Sequence, residues 1–266
     1  MPEGDSIHNV ALALKPLLLG RDIDGGFTRA PNHELTPQLI THIEAYGKHL
    51  LIGFEDGWTL RTHLGMNGSW HRYRDNERWR RASWRARVLI RCKSTKVVCF
   101  SPAQVEWIGK RGRRANGSRW YDAVGPDLIG DFDISEVVTR CRTQTAPHTA
   151  MAEVLLNQRV ASGIGNVYKC ELLFFVRLHP LTPLGDVSDE TLFDVYIKAG
   201  SLLKANVGHL RRQTTSLGNN PLWVYGRRGK PCLKCGGAIL SDHVSDQSRI
   251  TYWCPQCQPG QHHTYP

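Results

Sequence analysis

The sequence has no long apolar run and no secretion signal. Its longest apolar stretches, such as ELLFFV, are far shorter than the ~20 residues that cross a bilayer. Glu3 and Asp5 stand where a signal peptide would carry basic side chains, and no cleavage site of small residues follows. We therefore expect a cytoplasmic, nucleoid-associated protein whose eight cysteines are thiols or metal ligands rather than a disulfide framework.

The sequence also has fewer acidic than basic residues. The chain has 34 Lys and Arg against 24 Asp and Glu, a net charge of +10 and a pI near 9.4. This excess favours a polyanionic partner, although charge alone does not separate DNA from RNA or from an acidic membrane. The basic residues crowd between Arg72 and Arg119, near Trp79, Trp84 and Trp107. Each of them singly fits a solvated sheet face, whereas together they form a candidate phosphate-facing surface.

A length of 266 residues indicates two or three domains, and the sequence shows no internal repeat or long low-complexity segment. Apolar positions at helical spacing predict a helix from Asp5 to about Leu18, which Gly20 ends and whose last turn Pro16 kinks or shortens. Strand-like runs separated by turn signals follow: HLLIGF, WTLRTHL, RARVLIRC and KVVCF. The first domain is therefore expected to be an antiparallel β unit led by one helix.

Helical patterns replace the strands near VGPDL. They are ISEVVTRCR, MAEVLLNQRV, NVYKCELLFFVRL and DETLFDVYIKAGSLLKANVGHL. Asp133 or Ser135 is expected to cap the first of these helices and Ser188 the last. A helical middle domain of about ninety residues fits this stretch, and from Pro221 onward the composition shifts to Gly, Arg and Cys.

The C-terminal segment contains two C-x2-C pairs. Cys232 and Cys235 form the first, and Cys254 and Cys257 form the second, with eighteen residues between the pairs. This spacing is typical of a four-thiolate zinc site. Four thiolates complete the tetrahedral coordination of Zn²⁺, so the sequence predicts one structural zinc ion with no open position for a catalytic water. The alternative is a pair of redox-active dithiols.

The other residues that could bind a metal lack such spacing. Four cysteines in strand or helix patterns are expected to be core or surface thiols: Cys92, Cys99, Cys141 and Cys170. His262 and His263 are expected to belong to a C-terminal tail. Between the two pairs, ILSDHVSDQSRITYW has two strand-like arms around a polar turn, which predicts a zinc-stapled β-hairpin with Arg249 near its tip. In a basic chain Arg249 is as well suited to contact phosphate as to remain solvated.

Together these motifs resemble the formamidopyrimidine-DNA glycosylase and endonuclease VIII family of base-excision repair enzymes. The resemblance runs from Pro2 to Cys257 through PEG, YGKHLLIGF, HLGMNG, VGPDL, LLNQRVASGIGNVYKCELLF, VYGRRGKPC and SRITYWCPQCQ. It implies an α+β chain: a two-layer β-sandwich with flanking helices at residues 1–124, a helix–two-turns–helix domain at 125–220, a zinc finger at 221–258 and a tail at 259–266. It also implies a monomer that binds damaged DNA between its halves.

The resemblance assigns catalytic roles. Removal of Met1 would leave Pro2 with a secondary amine that attacks the sugar C1′ carrying a damaged base, and the iminium that forms permits β- and δ-elimination. Glu3 is expected to move protons during ring opening and Schiff-base formation, and Lys48 matches a β-hairpin lysine that contacts DNA and assists proton transfer. Without the resemblance, Lys48 would be an ordinary exposed strand lysine, and Pro2 with Glu3 an ordinary helix start.

DNA contacts are implied as well. Asn166 in GIGNVY and Arg249 match residues that clamp the phosphates flanking the lesion, and Gly163 and Gly165 let the backbone approach DNA at a helix start. Met66 in HLGMNG matches the residue that fills the void left by a flipped nucleotide. Without the resemblance, Met66 would fit plain core packing.

Two departures from the family pattern bear on the substrate. GHLRRQTTSLGNNPLWVYG is shorter than its counterpart in the formamidopyrimidine branch, which covers a flipped oxidised purine, and FSPAQVEWIGKR replaces that branch's DPRRFG-like stretch. Both favour the endonuclease VIII branch and oxidised pyrimidines, whereas HLGM looks more like the other branch. The alternatives are an oxidised-purine glycosylase acting on 8-oxoguanine or formamidopyrimidine, a non-catalytic DNA-binding zinc protein on the same scaffold, and a zinc-ribbon RNA-binding protein.

Overall fold

The computed structural model describes residues 2–109, 120–243 and 249–260. The chain divides into two units, Met1–Ala123 and Val124–Pro266. Three stretches singled out above lie wholly or partly outside the described residues: the basic run GKRGRR, the tip of the C-terminal hairpin, and the tail with His262 and His263. Among the described helices, none is both long enough and apolar enough to cross a membrane.

Helix α1, Gly4–Leu18, opens the first unit and confirms the predicted N-terminal helix. Its buried apolar face consists of Ile7, Ala11, Leu14 and Leu18. Pro16 costs the helix one backbone hydrogen bond in its last turn. The helix nevertheless continues for two residues beyond Pro16, so the proline does not shorten it. Gly20 follows with a φ of +68°, a conformation that favours glycine after a helix.

The described part of the first unit contains ten strands, and every pair among them is antiparallel. They are β1 Asp22–Ile23, β2 Gly25–Thr28, β3 His33–Leu35, β4 Gln38–Tyr46, β5 His49–Phe54, β6 Thr59–His63, β7 Ser69–Arg74, β8 Ala86–Cys92, β9 Thr95–Phe100 and β10 Gln104–Ile108. One sheet has the order β1-β4-β5-β6-β10 and the other β3-β2-β8-β9-β7. The four predicted strands are confirmed as β5, β6, β8 and β9.

The two sheets and α1 share one apolar core. Ile43 from the first sheet, Ile90 from the second and Ile7 from α1 belong to it, and each is at most 1% exposed. Burying a side chain of this size contributes about 1.5–3 kcal/mol, so this core holds the two layers together. The opposite face of the second sheet carries a smaller cluster built on Tyr73 and Phe100.

Two tight turns in the first unit place candidate site residues at strand ends. Gly47 and Lys48 join β4 to β5. Gly47 has a φ of +54°, which suits the first central position of a two-residue hairpin turn. The turn between β6 and β7 has Gly65 at a φ of +61° and closes with a hydrogen bond of 3.0 Å from the Gly68 N–H to the Leu64 carbonyl.

The helical patterns lie in the second unit. The helices are α2 Ile134–Gln144, α3 Met151–Val154, α4 Asn166–Phe175 and α5 Asp189–Asn206. The Asp133 carboxylate caps α2 by accepting the Ser135 N–H at 2.8 Å. The Ser188 hydroxyl caps α5 by accepting the Thr191 N–H at 3.2 Å. The predicted caps at Asp133 and Ser188 are therefore confirmed.

The helix predicted over MAEVLLNQRV is largely wrong, because α3 has only the first four of these residues. Backbone hydrogen bonds continue as far as the Asn157 N–H, and beyond it side chains replace partners that a longer helix would supply. Asn157 Oδ1 accepts the Arg159 N–H at 3.0 Å, and Gln158 Nε2 donates to the Ile164 carbonyl at 3.0 Å. An Asn side chain that binds the backbone two residues on stabilises a turn in competition with a helix.

The predicted C-terminal hairpin is confirmed by β11, Leu240–His243, and β12, Ile250–Trp253, which pair antiparallel. The hairpin packs on α4. Cys170 and Phe174 of that helix share an apolar cluster with Ile239 and Cys254 of the cysteine-rich segment. The C-terminal segment is therefore anchored on the helix that begins at Asn166.

The chain between α5 and β11 forms neither a helix nor a strand, and a glutamate that the sequence analysis did not single out holds it. Glu171 on α4 is fully buried. Its carboxylate accepts the N–H groups of Trp223, Val224 and Tyr225 at 2.8, 2.9 and 2.9 Å. It also accepts the hydroxyl of Thr214. Charge-assisted bonds of this kind are strong, so Glu171 fixes the path of the short segment.

Candidate active site and metal centre

Pro2 and Glu3 lie directly before the first residue of α1. Pro2 is half-buried. Glu3 has an extended backbone (φ −127°, ψ −175°), and its carbonyl accepts the Ile7 N–H at 3.1 Å as the first bond of the helix. Glu3 is 0% exposed, and its side chain does not cap α1. A carboxyl that only complemented a helix dipole would stay in water, so this burial argues against an ordinary helix start.

Lys48 lies in the two-residue turn between β4 and β5 and is half-buried. It is therefore not the exposed strand lysine of the alternative interpretation. His49 follows it as the first residue of β5 and pairs with His63 on β6, with the two ring centroids 5.0 Å apart. The turn thus presents a lysine beside two imidazole rings that contact each other at a tilt of 43°.

A buried arginine on β6 binds the histidine that follows this turn. Arg61 on β6 donates from Nε to Glu106 Oε2 at 2.8 Å and from Nη2 to Gln104 Oε1 at 3.2 Å. Its Nη1 lies 2.9 Å from Nδ1 of His49. Because a guanidinium has donors only, His49 Nδ1 must accept this bond, and the ring proton of His49 resides on Nε2. Arg61 therefore fixes both the position and the tautomer of the residue that follows Lys48.

Met66 lies in the turn between β6 and β7 and is 70% exposed. Plain core packing, the alternative interpretation, is wrong for this residue. The turn packs against Ala103, which belongs to the stretch FSPAQVEWIGKR, because a Cβ added to Gly65 would come within 2.7 Å of the Cβ of Ala103. Met66 therefore projects beside the stretch that departs from the formamidopyrimidine branch.

Asn166 and Arg249 are brought together in the second unit. Asn166 is the first residue of α4 and 8% exposed, and its Nδ2 donates to the carbonyl of Ile250 at 2.8 Å. Ile250 follows the half-buried Arg249. Asn166 Oδ1 is buried without a hydrogen-bond partner among the described residues. Such a group costs about 1–3 kcal/mol, and a cost of this kind is typical of a functional site.

A buried lysine reinforces the same junction. Lys169, also on α4, is 1% exposed, and its Nζ donates to Oγ1 of Thr251 at 2.7 Å. The sequence analysis missed this contact. Its only signal is a lysine within the apolar pattern of NVYKCELLFF. Two side chains of α4 therefore bind β12 immediately after Arg249.

The four cysteines of the two C-x2-C pairs form one cluster, with their Sγ atoms within 4.8 Å of one another. The Sγ atoms of Cys235 and Cys254 are 3.4 Å apart, and those of Cys232 and Cys257 are 3.8 Å apart. Tetrahedral Zn²⁺ with Zn–S bonds of about 2.3 Å separates its sulfurs by about 3.8 Å. The cluster therefore fits a four-thiolate zinc ion.

The electrostatics of the cluster also suit a divalent cation. The Gly237 N–H beside Cys235 lowers the pKa of that thiol to about 7. Burial raises the pKa of Cys254, and burial together with the neighbouring thiols raises that of Cys257. Four thiolates at these distances repel one another, and a bound cation is what permits all four to ionise.

The other cysteines are buried in the protein interior. Cys92, Cys99, Cys141 and Cys170 are all buried. Burial raises the pKa of Cys99 well above its usual range and that of Cys141 to about 11. Thiols of this kind are poor nucleophiles and poor metal ligands. The sequence predicts core or surface thiols at these four positions, and all four are core thiols.

Comparisons with known proteins match these features. The sequence profile of the formamidopyrimidine-DNA glycosylase N-terminal domain matches residues 1–104, and that of the formamidopyrimidine-DNA glycosylase H2TH domain matches residues 124–216. The chain is 35% identical to a probable endonuclease 8 2 of Streptomyces coelicolor, over 98% of this chain and 95% of the relative. It is 32% identical to the DNA-(apurinic or apyrimidinic site) lyase Nei2 of Mycolicibacterium smegmatis, over 97% of this chain and 99% of the relative.

Solved structures have the same fold. The MutM (Fpg) protein of Thermus thermophilus matches with a TM-score of 0.76 and 25% identity, over 97% of this chain and 98% of that one. The formamidopyrimidine-DNA glycosylase of Lactococcus lactis, solved with DNA containing an AP site, matches with a TM-score of 0.80 and 21% identity, over 97% of this chain and 100% of that one.

Proposed function

The chain belongs to the formamidopyrimidine-DNA glycosylase and endonuclease VIII family, and we propose that it is a bifunctional DNA glycosylase and AP lyase of base-excision repair. Its substrate is damaged DNA, from which it removes oxidised bases, pyrimidines in preference, before cleaving the strand. One observation carries the proposal: Pro2 and the fully buried Glu3 precede α1 in a chain of this family. A non-catalytic binding protein on the same scaffold has no need of this pair.

Pro2 is the nucleophile of the proposed reaction. After removal of Met1, its secondary amine attacks C1′ of the damaged nucleotide, and the bond from C1′ to the base breaks as the base leaves with a proton. Opening of the sugar ring gives an iminium, because the proline nitrogen has no second proton to lose. The iminium withdraws electrons and acidifies the 2′ proton, so loss of that proton expels the 3′ phosphate. A second elimination then expels the 5′ phosphate, and hydrolysis of the iminium releases the sugar fragment and frees the Pro2 amine.

Glu3 and Lys48 move protons in this scheme. Glu3 is adjacent to the nucleophile and buried, and a carboxyl in this place is suited to pass a proton to the ring oxygen as the sugar opens. Lys48 contacts the DNA from the turn between β4 and β5. Its position depends on the network of Arg61, Glu106 and His49 described above.

Three residues hold the DNA. Met66 occupies the void that a flipped nucleotide leaves, for which an exposed and flexible apolar side chain is suitable. Asn166 and Arg249 bind the phosphates flanking the lesion. One proton of Asn166 Nδ2 is used by the Ile250 carbonyl, and the second serves a phosphate oxygen.

Zinc is the structural metal of the C-terminal segment, held by Cys232, Cys235, Cys254 and Cys257. It supplies no step of the reaction and stabilises the β11–β12 hairpin, which carries Arg249. The second unit accordingly consists of a helix–two-turns–helix domain at 125–220 and a zinc finger at 221–258. Repair of chromosomal DNA places the enzyme in the cytoplasm, at the nucleoid.

Borohydride trapping tests the proposal at Pro2. Borohydride added during reaction with an oxidised duplex should reduce the iminium and join protein to DNA, and peptide mapping should place the adduct on Pro2. With an α-amino pKa of about 8, roughly a tenth of the amine is unprotonated at pH 7, and this nucleophilic fraction grows as the pH rises. An uncleaved N-terminal extension should reduce trapping and strand cleavage to background while changing DNA affinity by less than about twofold.

The matched control is Pro16→Ala, which changes the other proline of the same N-terminal segment and should trap normally. An adduct that maps to Lys48, with bases still excised by the extended protein, would overturn the N-terminal mechanism.

A further inference from the structure

The positive charge of this protein is concentrated on one sheet. The segment from Ser69 to Phe100, which spans β7, β8 and β9, contains ten Arg and Lys residues and two acidic residues. Its net charge is therefore +8, against +10 for the whole chain. The helical unit and the zinc segment together contribute little to the excess, so among the described residues this segment attracts a polyanion most strongly.

Most of this charge is not neutralised within the protein. Asp75 lies 3.6 Å from Lys96 and Glu77 lies 3.7 Å from Arg80, so each acidic residue has one cation beside it. The other eight basic residues of the segment form no ion pair within the described residues.

The pKa of one histidine in this segment is affected by the nearby arginines. Burial lowers the pKa of His71, and the charges of Arg81 and Arg80 lower it further. Arg80 and Arg81 therefore disfavour a further positive charge at His71.

Two tryptophans of the segment have opposite environments. Trp79 packs against Tyr73 and Phe100 on the sheet, with ring centroids 6.2 and 5.5 Å away. Trp84 is 66% exposed, and the guanidinium of Arg85 lies 4.8 Å from the centre of its ring. Trp79 anchors the segment to the fold, whereas Trp84 presents an aromatic surface to solvent.

The basic residues line two adjoining grooves beside Trp84. Arg72, Arg74 and Arg80 line the first groove, and Arg78, Arg80 and Arg81 line the second, so Arg80 belongs to both. The second groove extends to Ser83, the residue before Trp84. We refer to Arg72, Arg74, Arg78, Arg81, Trp84 and Arg85 as the Arg–Trp surface.

The Trp84 end of this surface lies at the same end of the sheet as the Met66 turn. Ser69, which follows that turn, and Ala86, which follows Trp84 by two residues, both pair with Phe100 of β9. The surface therefore starts beside the part of the first unit that carries Met66.

We propose that the Arg–Trp surface binds single-stranded DNA next to the lesion. That the bound polymer is DNA rests on the proposed function. That it is single-stranded is inferred from the exposed ring of Trp84. Arginines along a groove attract the phosphates of any nucleic acid. An exposed indole offers a face on which an unpaired base can stack, which is how proteins bind single strands without reading sequence. The enzyme is thereby favoured at lesions in bubbles, forks and gaps.

Binding of a fluorescent, undamaged oligothymidine of about twenty nucleotides tests this proposal by anisotropy. Trp84→Ala should weaken binding of this strand about tenfold, because one stacked base is lost. The same variant should bind a blunt undamaged duplex within about twofold of the wild type. The matched control is Trp58→Ala, which removes a tryptophan of the same unit that is 44% exposed and outside the surface. It should leave both affinities unchanged. Oligothymidine binding that Trp84→Ala leaves within twofold of the wild type would overturn the proposal.

Salt dependence separates the arginines from the tryptophan. The double variant Arg78→Gln/Arg81→Gln should make the slope of log affinity against log salt shallower by about 1.4 for the single strand. Trp84→Ala should lower affinity without changing that slope. If the surface binds an acidic protein instead, the single strand should bind both variants as it binds the wild type, and the proposal fails.

Trapping on an oxidised duplex distinguishes failure here from failure of the proposed function. If the wild type and all variants trap normally, and Trp84→Ala leaves the oligothymidine affinity unchanged, the binding surface is wrongly assigned. The proposed glycosylase activity is then still supported. If Trp84→Ala weakens oligothymidine binding and no protein traps, the surface stands and the glycosylase fails. Unchanged zinc content and melting temperature show that each variant is folded.

Discussion

Exposure is the property of single residues that separates roles in folding from roles in binding. An apolar side chain that is 70% exposed, as Met66 is, gains little from burial. Met151 at the start of α3 is 0% exposed and belongs to the core of the second unit. The same residue type therefore serves stability at one position and is available for DNA at the other.

Met66→Ala should slow excision while leaving stability nearly unchanged. A flipped nucleotide costs a few kcal/mol, so loss of the side chain that fills its place should lower the single-turnover rate about tenfold or more. The free energy of unfolding should change by less than about 0.5 kcal/mol. Met151→Ala is the matched control and should destabilise by about 2–5 kcal/mol. An unchanged excision rate in Met66→Ala, measured beside its melting curve, would remove Met66 from the DNA interface.

The sequence could indicate Met66, Pro2 and Glu3 because each lies within a short contiguous motif. It could not indicate the role of Arg61. The run WTLRTHL shows by alternation that Arg61 and Leu60 face opposite sides of a strand. Its partners come from β5 and β10, and Glu106 reaches it through the register of the β6–β10 pair. A register between strands more than forty residues apart has no local signal in the sequence.

At the scale of elements, the hairpin β11–β12 links the four-cysteine cluster to Arg249, the proposed phosphate contact. It packs on α4, and Asn166 and Lys169 of that helix bind the backbone of Ile250 and the hydroxyl of Thr251. Arg249 directly precedes this strand. The position of Arg249 therefore follows that of the hairpin, whose arms lie between the two cysteine pairs of the cluster.

Cys254→Ser should cost the protein its zinc and weaken DNA binding. Binding of the metal in such a small unit is part of its folding free energy, so loss of one thiolate should unfold the hairpin and release Arg249. We expect less than one zinc per chain by metal analysis, and a salt dependence of DNA binding shallower by about one unit of slope. Cys141→Ser changes a buried cysteine outside the cluster and should keep both properties. Full zinc content in Cys254→Ser, or an unchanged salt slope, would contradict this link.

Helices and strands could be predicted from the sequence where their own residues carry a local signal. The capping side chains at Asp133 and Ser188 and the apolar stripe of α1 are local signals, and the structure has all three. The strands β1–β4 were not predicted. β1 has only two residues, and β2 begins with two glycines, which disfavour strands in isolation. These strands form because their neighbours supply the ladder, as β4 does for β1 and β8 does for β2.

At the scale of the whole molecule, the Arg–Trp surface and the short segment between α5 and β11 lie in different units. The first unit carries the Arg–Trp surface, and the second carries the short segment between α5 and β11. In the second unit Glu171 binds three consecutive backbone N–H groups of that segment and the hydroxyl of Thr214. Asn206 at the end of α5 accepts the Gln213 N–H at 2.6 Å. The segment is thus held close to α4 and α5 along much of its length.

A segment held in this way leaves little chain to cover a flipped purine, and this sets the expected order of substrates. We expect single-turnover excision of thymine glycol or 5-hydroxyuracil to be about tenfold or more faster than excision of 8-oxoguanine opposite cytosine, because discrimination of the larger base needs contacts that a cover loop would supply. Matched duplexes that differ only at the lesion provide the measurement. Cleavage of a preformed abasic site in the same duplex is the control and should be insensitive to the lesion series, since no base has to be recognised. Excision of 8-oxoguanine at an equal or higher rate would place the enzyme with the oxidised-purine glycosylases. It would also show that the short segment between α5 and β11 does not prevent recognition of a purine.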